Sequence, residues 1–508
     1  RLTFEDAWAR ACTLAHALVN EFGVKKGDRV AISMRNFPEW VIAFNAATSI
    51  GAIAVAMNAL WQPHEIEYAL SDSAPRVLLA DQERLDRIAQ LEKAPDVAII
   101  AVRASKPLPA GARAYANIVA APFKTDMPAI EIAPNDDAMI LYTSGSTGHP
   151  KGAVSSHRNI LSALLSWELD AQAMALMTGI NSAAAQGDAQ PATLLAVPLF
   201  HVTGLHAVLL ASYRGQRRVV SMYKWDAELA AALIERERIT SFTAPPAMTG
   251  DLVEVARRAK RDLSSLAVVG GGGAPRAPEQ VRAIDKAFGN ARPNTGWGMT
   301  ETNAIGAGIA AQDYVDHPES SGRAAAVLDL RIVDESGKAL PAMQRGELQV
   351  RGASIIRGYW NRPDANEQTF DGEWLRTGDV AYLDQDGFLY IVDRIKDLVI
   401  RGGENIGCGA VEAALLEHPD VIEACVYGVP DARLGEEVAA TIYARGPIDE
   451  AALRAFLSER LARFEAPRYF HFADAPLPRI ASGKILKRQL RDEAAARLAA
   501  RAPSTARA

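Results

Sequence analysis

The chain has 508 residues, 49% hydrophobic and 23% charged, so two or more domains of an ordinary soluble globular protein are expected. A formal net charge of −6 gives no hint of a nucleic-acid footprint, which would need clustered positive charge. Cys12, Cys408 and Cys425 stand far from any C-x-x-C spacing, support neither a disulfide framework nor a zinc site, and fit a reducing cytoplasm. No uninterrupted apolar segment is long enough to span a bilayer. The sequence opens at Arg1, directly in a helical pattern, which leaves a start further upstream open.

Thr3 and Asp6 form a capping-box pattern ahead of Trp8, Ala11, Ala15, Leu18 and Phe22 at helical spacing, and Gly23 closes that helix. Trp8 and Trp40 read as core residues. Residues 29–33, 52–57 and 76–80 read as strands, alternating with helices over about 39–50 and 65–70. Such alternation predicts an α/β layer structure with a largely parallel sheet.

An apolar run at 138–141 then leads into Tyr142-Thr143-Ser144-Gly145-Ser146-Thr147-Gly148-His149-Pro150-Lys151-Gly152, and a helix opens near Ser156. Glycines let main-chain N–H groups face a ligand, hydroxyls add donors and Lys151 adds a positive charge. The stretch describes a cradle for a polyanion, with a nucleoside triphosphate as first candidate. A plain surface turn has the same composition. The P-loop pattern fails, because His149 and Pro150 follow Gly148 and Gly152 follows Lys151.

Residues 168–192 read as a helix end plus a loop without chemistry. A buried strand at 194–199 ends in Phe200-His201, and Thr203-Gly204 opens an apolar helix. His201 is balanced between pocket lining and a plain structural histidine. A strand at 266–269 feeds Gly270-Gly271-Gly272-Gly273-Ala274-Pro275, which lacks the spacing of the dinucleotide fingerprint. In Asn294-Thr295-Gly296-Trp297-Gly298-Met299-Thr300-Glu301, an aromatic ring can stack on a base, Thr300 can donate to phosphate and Glu301 can hold magnesium. Residues 329–394 alternate in short runs with turns at Asp334-Glu335-Ser336-Gly337, Asp371-Gly372 and Asp386-Gly387, a hairpin-dense region. From Val411 the chain reads as a compact α+β unit, with a strand at 421–427, a strand at 438–444, a helix at 450–463 and a strand at 469–472. Cys408 reads as buried filler. A basic turn follows at Pro478-Arg479-Ile480-Ala481-Ser482-Gly483-Lys484, and the tail from about Arg497 reads as frayed.

The stretch from Thr143 to Gly152 resembles T-S-G-[ST]-T-G-x-P-K-G, the signature of the adenylate-forming superfamily of acyl- and aryl-CoA ligases, luciferases and carrier-adenylation enzymes. The resemblance runs from the first helix to Lys487 with the motifs in family order. It implies a large N-terminal α/β domain (1–394) with parallel-rich sheets and a β-rich closing region. A hinge (395–398) and a small mobile α+β C-terminal domain (399–508) follow. By resemblance, Thr143, Ser144, Gly145, Ser146, Thr147, Gly148 and Lys151 hold phosphate. Gly272, Gly273, Ala274 and Pro275 pack along adenine with Trp297, Gly298 and Met299, where Trp297 replaces the usual tyrosine. Asp379 of Thr377-Gly378-Asp379 takes the ribose hydroxyls and Arg394 backs the sugar. Thr300 and Glu301 serve phosphate and magnesium, Lys396 is the pivot, and Lys484 matches the adenylation lysine. His201, Thr203, Gly204 and Thr243 line the acyl pocket.

The activity this implies is an ATP-dependent acid–CoA ligase that uses ATP, Mg2+ and CoA and passes through an acyl-AMP. Small apolar residues at 304–311, with no matched basic anchor, favour a medium-to-long-chain fatty acid, with an aryl or polycyclic side-chain acid as runner-up. A carrier-loading adenylation enzyme, a luciferase-like oxygenase and a nucleotide sensor are the rival classes. Expected partners are the acid, ATP and CoA in the cytoplasm, without nucleic acid or a transmembrane segment; a homodimer is kept open.

Overall fold

A computed structural model describes residues 1–143, 150–178, 190–258, 261–274, 276–479 and 483–501. The first helix, Phe4–Asn20, begins as the sequence predicts: the Asp6 amide donates to the Thr3 hydroxyl, and the Thr3 amide donates to the Asp6 carboxylate. Its buried stripe is Ala11, Leu14, Ala15 and Leu18. Trp8 corrects the reading, for it lies in the first turn, short of that stripe, and is 45% exposed. Trp40 is fully buried.

Four sheets organise the described residues. In the first, Ile53–Ala56, Arg29–Ser33, Val77–Asp81 and Ala98–Val102 run parallel, buried on both faces, which explains their near-continuous apolar sequences. Asp137–Thr143 joins them in parallel through Ile53–Ala56 and pairs antiparallel with Lys151–Ser156. The second sheet places Ser241–Thr243, Val268–Gly270 and Arg292–Trp297 side by side and parallel, with Ala192–Leu195 next to the first of them. That last strand ends earlier than the apolar run suggests, because Pro198 and His201 already turn the chain into a π-helical segment, Thr203–Leu210.

The third sheet is antiparallel, as the turn signals predict: Leu328–Val333, Gly346–Gly352, Trp374–Leu383 and Leu389–Arg394, with a short Phe370–Asp371 edge. The fourth holds Val399–Arg401, Glu404–Ile406, a long hairpin of Val421–Asp431 with Gly435–Ala444, and Tyr469–Ala473. Cys408–Leu416 and Glu450–Ser458 supply helical packing for its own core around Val411, Val426, Ile442 and Leu453. The helix Lys487–Arg501 continues past Arg497, where fraying was expected, and its Leu490 and Ala494 pack on Cys425 and Tyr427. This C-terminal unit touches the larger one near the second sheet: Gly483 sits against Pro245, and Arg445 lies 3.4 Å from Glu254. No helix of the described residues is long and apolar enough to cross a membrane.

Candidate active site

One cavity of about 1560 Å³ lies where the units meet. It forms for a topological reason: the carboxyl ends of the parallel strands of the second sheet open onto it, the usual place for a ligand in such sheets. Thr243 ends one strand, Gly271 to Gly273 follow the next, and Gly298, Met299, Thr300 and Glu301 follow the third. Gly270 has to be glycine, since a Cβ there would fall 2.5 Å from the Asn294 side-chain oxygen. The first sheet contributes Thr143 and Lys151, which are directly paired in register across the mouth of their hairpin. The Thr143 hydroxyl donates to the Lys151 carbonyl at 3.3 Å. Ser144, Gly145, Ser146, Thr147 and Gly148, and likewise Pro275, lie outside the described residues.

Glu301 is a buried carboxylate that accepts a 2.6 Å hydrogen bond from the Tyr359 hydroxyl. Tyr359 comes from a two-residue strand paired with Lys151–Ser156, and the Lys151 ammonium sits 5.1 Å from the centre of its ring. Burial, with Glu301 adding to it, pushes the phenol pKa far up, so it stays a donor. Tyr359 was not singled out from the sequence; the signal was the need of a buried Glu301 for a donor.

The third sheet supplies Thr377, Gly378 and Arg394 to the cavity wall. Arg394 holds Asp379 at 2.7 Å across the strand pair, and the Trp297 indole N–H donates to the other carboxylate oxygen at 2.8 Å. Asp379 is 2% exposed, and neither it nor Trp297 lines the cavity. The Trp297 ring packs against Gly306, where a Cβ would fall 2.3 Å from the ring. The indole thus braces Asp379 from behind the wall instead of offering its face to a base, a difference from the sequence reading. A half-buried indole N–H needs an acceptor, and Asp379 supplies it. Ala274 likewise stays off the lining. Gly204 is a second difference: its Cα is pressed against the Pro198 carbonyl, 2.3 Å from where a Cβ would sit, so it serves packing.

His201 and Thr203 line the cavity too, with the Thr203 hydroxyl close to Gly273. Burial, helped by nearby Lys484, pushes His201 down to about 4, so it is neutral near pH 7. Lys484 arrives from the C-terminal unit and lines the same cavity as Lys151, Thr300 and Glu301. Its side chain is exposed to the cavity yet enclosed by protein; burial and Arg394 lower its pKa, while Asp379 and Glu301 oppose the shift. Lys396 lines the cavity as well. Lys487 is secured differently, 3.2 Å from Glu412. Burial opposes its charge, but Glu412 and the acids around it prevail and hold its pKa above the ordinary value. Cys408 is buried, its thiol donates to the Asp397 carbonyl, and burial pushes its pKa far up, so it is no nucleophile at neutral pH. One basic residue of the lining, Arg217, went unremarked in the sequence, where no basic anchor was expected.

Ammonium groups, a hydroxyl and a shielded carboxylate converge on one cavity that two units close together. That arrangement suits transfer chemistry at a polyanion.

Comparison with known proteins agrees. Residues 1–360 match the family model of the AMP-binding enzyme, and residues 410–484 match the AMP-binding enzyme C-terminal domain. The chain is 33% identical over 501 residues to the long-chain-fatty-acid–CoA ligase FadD13 of Mycobacterium tuberculosis, covering 97% of this chain and 93% of that protein. Among solved structures, o-succinylbenzoate CoA synthetase from Bacillus subtilis with its acyl-adenylate intermediate OSB-AMP is 30% identical with a TM-score of 0.80, covering 97% of this chain and 93% of that one. The same enzyme is known with ATP and a magnesium ion (TM-score 0.78, 30% identity, 96% and 94% covered). The anthranilate CoA ligase AuaEII with anthranoyl-AMP gives a TM-score of 0.87 at 27% identity, covering 98% and 93%. The chain belongs to the AMP-binding enzyme family, as an acid–thiol ligase among its acyl- and aryl-CoA synthetases.

Proposed function

We propose that the protein joins an acid with an apolar body, in the first instance a medium-to-long-chain fatty acid, to CoA at the expense of ATP. The observation that carries this reading is the placement of Lys484 on one cavity with Lys151, Thr300 and Glu301. The acid's carboxylate oxygen attacks the α-phosphate, forming acyl-AMP and expelling pyrophosphate. The thiol sulfur of CoA, giving up its proton, then attacks the acyl carbon; the single bond from that carbon to the phosphate oxygen breaks, and AMP leaves with the oxygen and its electron pair. Negative charge spreads over the phosphate oxygens in the first step, and Lys484, Lys151 and Thr300 are placed to take it. The buried Glu301 oxygen fits Mg2+, which takes one or two carboxylates beside phosphate oxygens and would neutralise phosphate charge there. Thr143, Gly272, Gly273, Gly298 and Met299 would flank the nucleotide, with Arg394 and the braced Asp379 beside the sugar.

His201, Thr203 and Thr243 begin the acyl wall, which continues over Ala207 and Ala211. A chain acid suits that lining, and the likeness to FadD13 points the same way. The likeness to the anthranilate ligase keeps a ring acid as the second reading. In this assignment residues 1–394 and 399–508 are two lobes that turn about 395–398, with Lys396 as pivot, between the half-reactions. The three free, buried cysteines suit a cytoplasmic enzyme. A panel of acids assayed for pyrophosphate release, with and without CoA, tests the reading. Acid-dependent release with thioester formed only when CoA is present is the expected result. Turnover with a carrier-bound thiol but none with CoA would move it to the carrier-loading class.

A further inference from the structure

The acyl end of the cavity runs between two helices. Thr203, Ala207 and Ala211 line it from one side at helical spacing, and Trp167 and Ala173 from His157–Thr178 line it from the other. The first of these positions marks the reacting end, because neighbouring His201 feels the Lys484 charge. From Thr203 to Ala211 the chain follows the π-helical segment into the short helix Ala211–Arg214. It then turns at Gly215 and brings Arg217 back to the cavity lining. The side chain folds over the turn: a Cβ on Gly215 would sit 3.2 Å from the Arg217 Nε.

Nearby arginines of this segment have carboxylates. Arg214 donates to Glu168 at 2.8 Å, and Arg218 to Glu237 at 2.6 Å. Arg217 has no such partner among the described residues, and burial alone acts on it, pulling its pKa down. Asp170, another ionisable side chain of the lining, is shifted up by burial. A half-buried guanidinium that faces a cavity with no carboxylate partner among the described residues is costly, unless something that fills the cavity supplies the charge.

We propose that Arg217 selects the acid by receiving a second carboxylate, carried at the far end of its apolar body. This rests on the acid–CoA ligase reading and narrows its acid: the chain ends in a carboxylate where an ordinary fatty acid ends in a methyl group. The guanidinium fork suits a carboxylate bidentately, and the contact lies far from the bond being made.

The experiment measures pyrophosphate release with CoA for monocarboxylic and α,ω-dicarboxylic acids of matched length, in the native enzyme, Arg217→Met and Arg217→Lys. The native enzyme is expected to favour the diacid in kcat/KM by about 100-fold at its best length, in the manner of sites built around a buried polar group. Arg217→Met is expected to bring the diacid-to-monoacid ratio close to 1, through KM of the diacid and not through kcat. Arg217→Lys keeps the charge but loses the fork, and should hold an intermediate ratio; it carries the test should the Met variant fail to fold. Equal use of both series by the native enzyme, or a diacid preference that survives both substitutions, overturns the assignment and leaves the ligase reading standing. Absence of acid-dependent pyrophosphate release from either series overturns both.

Discussion

The two ends of the cavity are built on opposite plans. At the nucleotide end two acids are already engaged: Glu301 by Tyr359, and Asp379 by Arg394 and Trp297. At the acyl end the wall runs over Thr203, Ala207, Ala211, Trp167 and Ala173, and Arg217 there has no carboxylate partner among the described residues. Groups fixed in advance favour a charge distribution that is the same for every turnover, namely the phosphate transition state. A wall with few fixed partners leaves the choice of acid to shape and to one charge. Chemistry and selection are thus separable along the cavity, and substitutions at the two ends should show it.

The largest effect is expected at Lys484. Lys484→Ala should slow acyl-AMP formation by roughly 10²-fold or more while supplied acyl-AMP is still converted to thioester. Equal loss in both half-reactions would break the assignment of Lys484 to the first step. Next comes Tyr359→Phe, which leaves the Glu301 carboxylate without its donor. A hydrogen bond to a charged group is worth about 1.5–3 kcal/mol, so acid-dependent pyrophosphate release should fall by roughly 10-fold or more with any acid. Lys396→Pro should spare pyrophosphate release and slow thioester formation by about 10-fold, because proline fixes the backbone at the proposed pivot. An unaffected second step would argue against the hinge. Trp297→Phe removes one donor from Asp379, and KM for ATP should rise by up to about 10-fold with kcat held. The mildest effect is the pH profile. Burial keeps the Lys484 pKa below the 10.5 of an ordinary lysine, so the cation is lost, and adenylation falls, earlier on the alkaline side. Lys484→Arg, which stays charged, should remove that limb at a lower rate.

The same division governs what could be read from the sequence. The nucleotide end is written in contiguous motifs, since glycines and hydroxyls must sit at fixed offsets where a backbone approaches a ligand. Lys151, Thr300, Glu301 and Lys484 were therefore legible, and the structure brings them to one cavity. Tyr359 was not: it reaches Glu301 across 58 residues of chain, through a pairing of two short edge segments that no local pattern announces. Arg217 was not legible either, since nothing local marks which of Arg214, Arg217 and Arg218 reaches the cavity; in the structure it is Arg217, after the turn at Gly215. Alternation of strands and helices gave the layers, because burial on both faces leaves a continuous apolar imprint. Ends of elements were less legible. Tertiary contacts of Leu490 and Ala494 hold the last helix beyond the point where composition alone suggests fraying.

Asp393 precedes the proposed pivot, and its carboxylate accepts from the Cys408 amide, beyond it, at 2.6 Å. The Cys408 thiol adds a second tie, to the Asp397 carbonyl. The Asp393–Cys408 bond is a strap over the joint, so a lobe that swings about Lys396 has to unfasten the strap once per cycle and fasten it again. One charged hydrogen bond of about 2 kcal/mol weights the resting enzyme some 30-fold toward the orientation that presents Lys484. The enzyme would thus idle cocked for its first reaction, and the rate at which the strap lets go would set an upper limit on how often the second can occur.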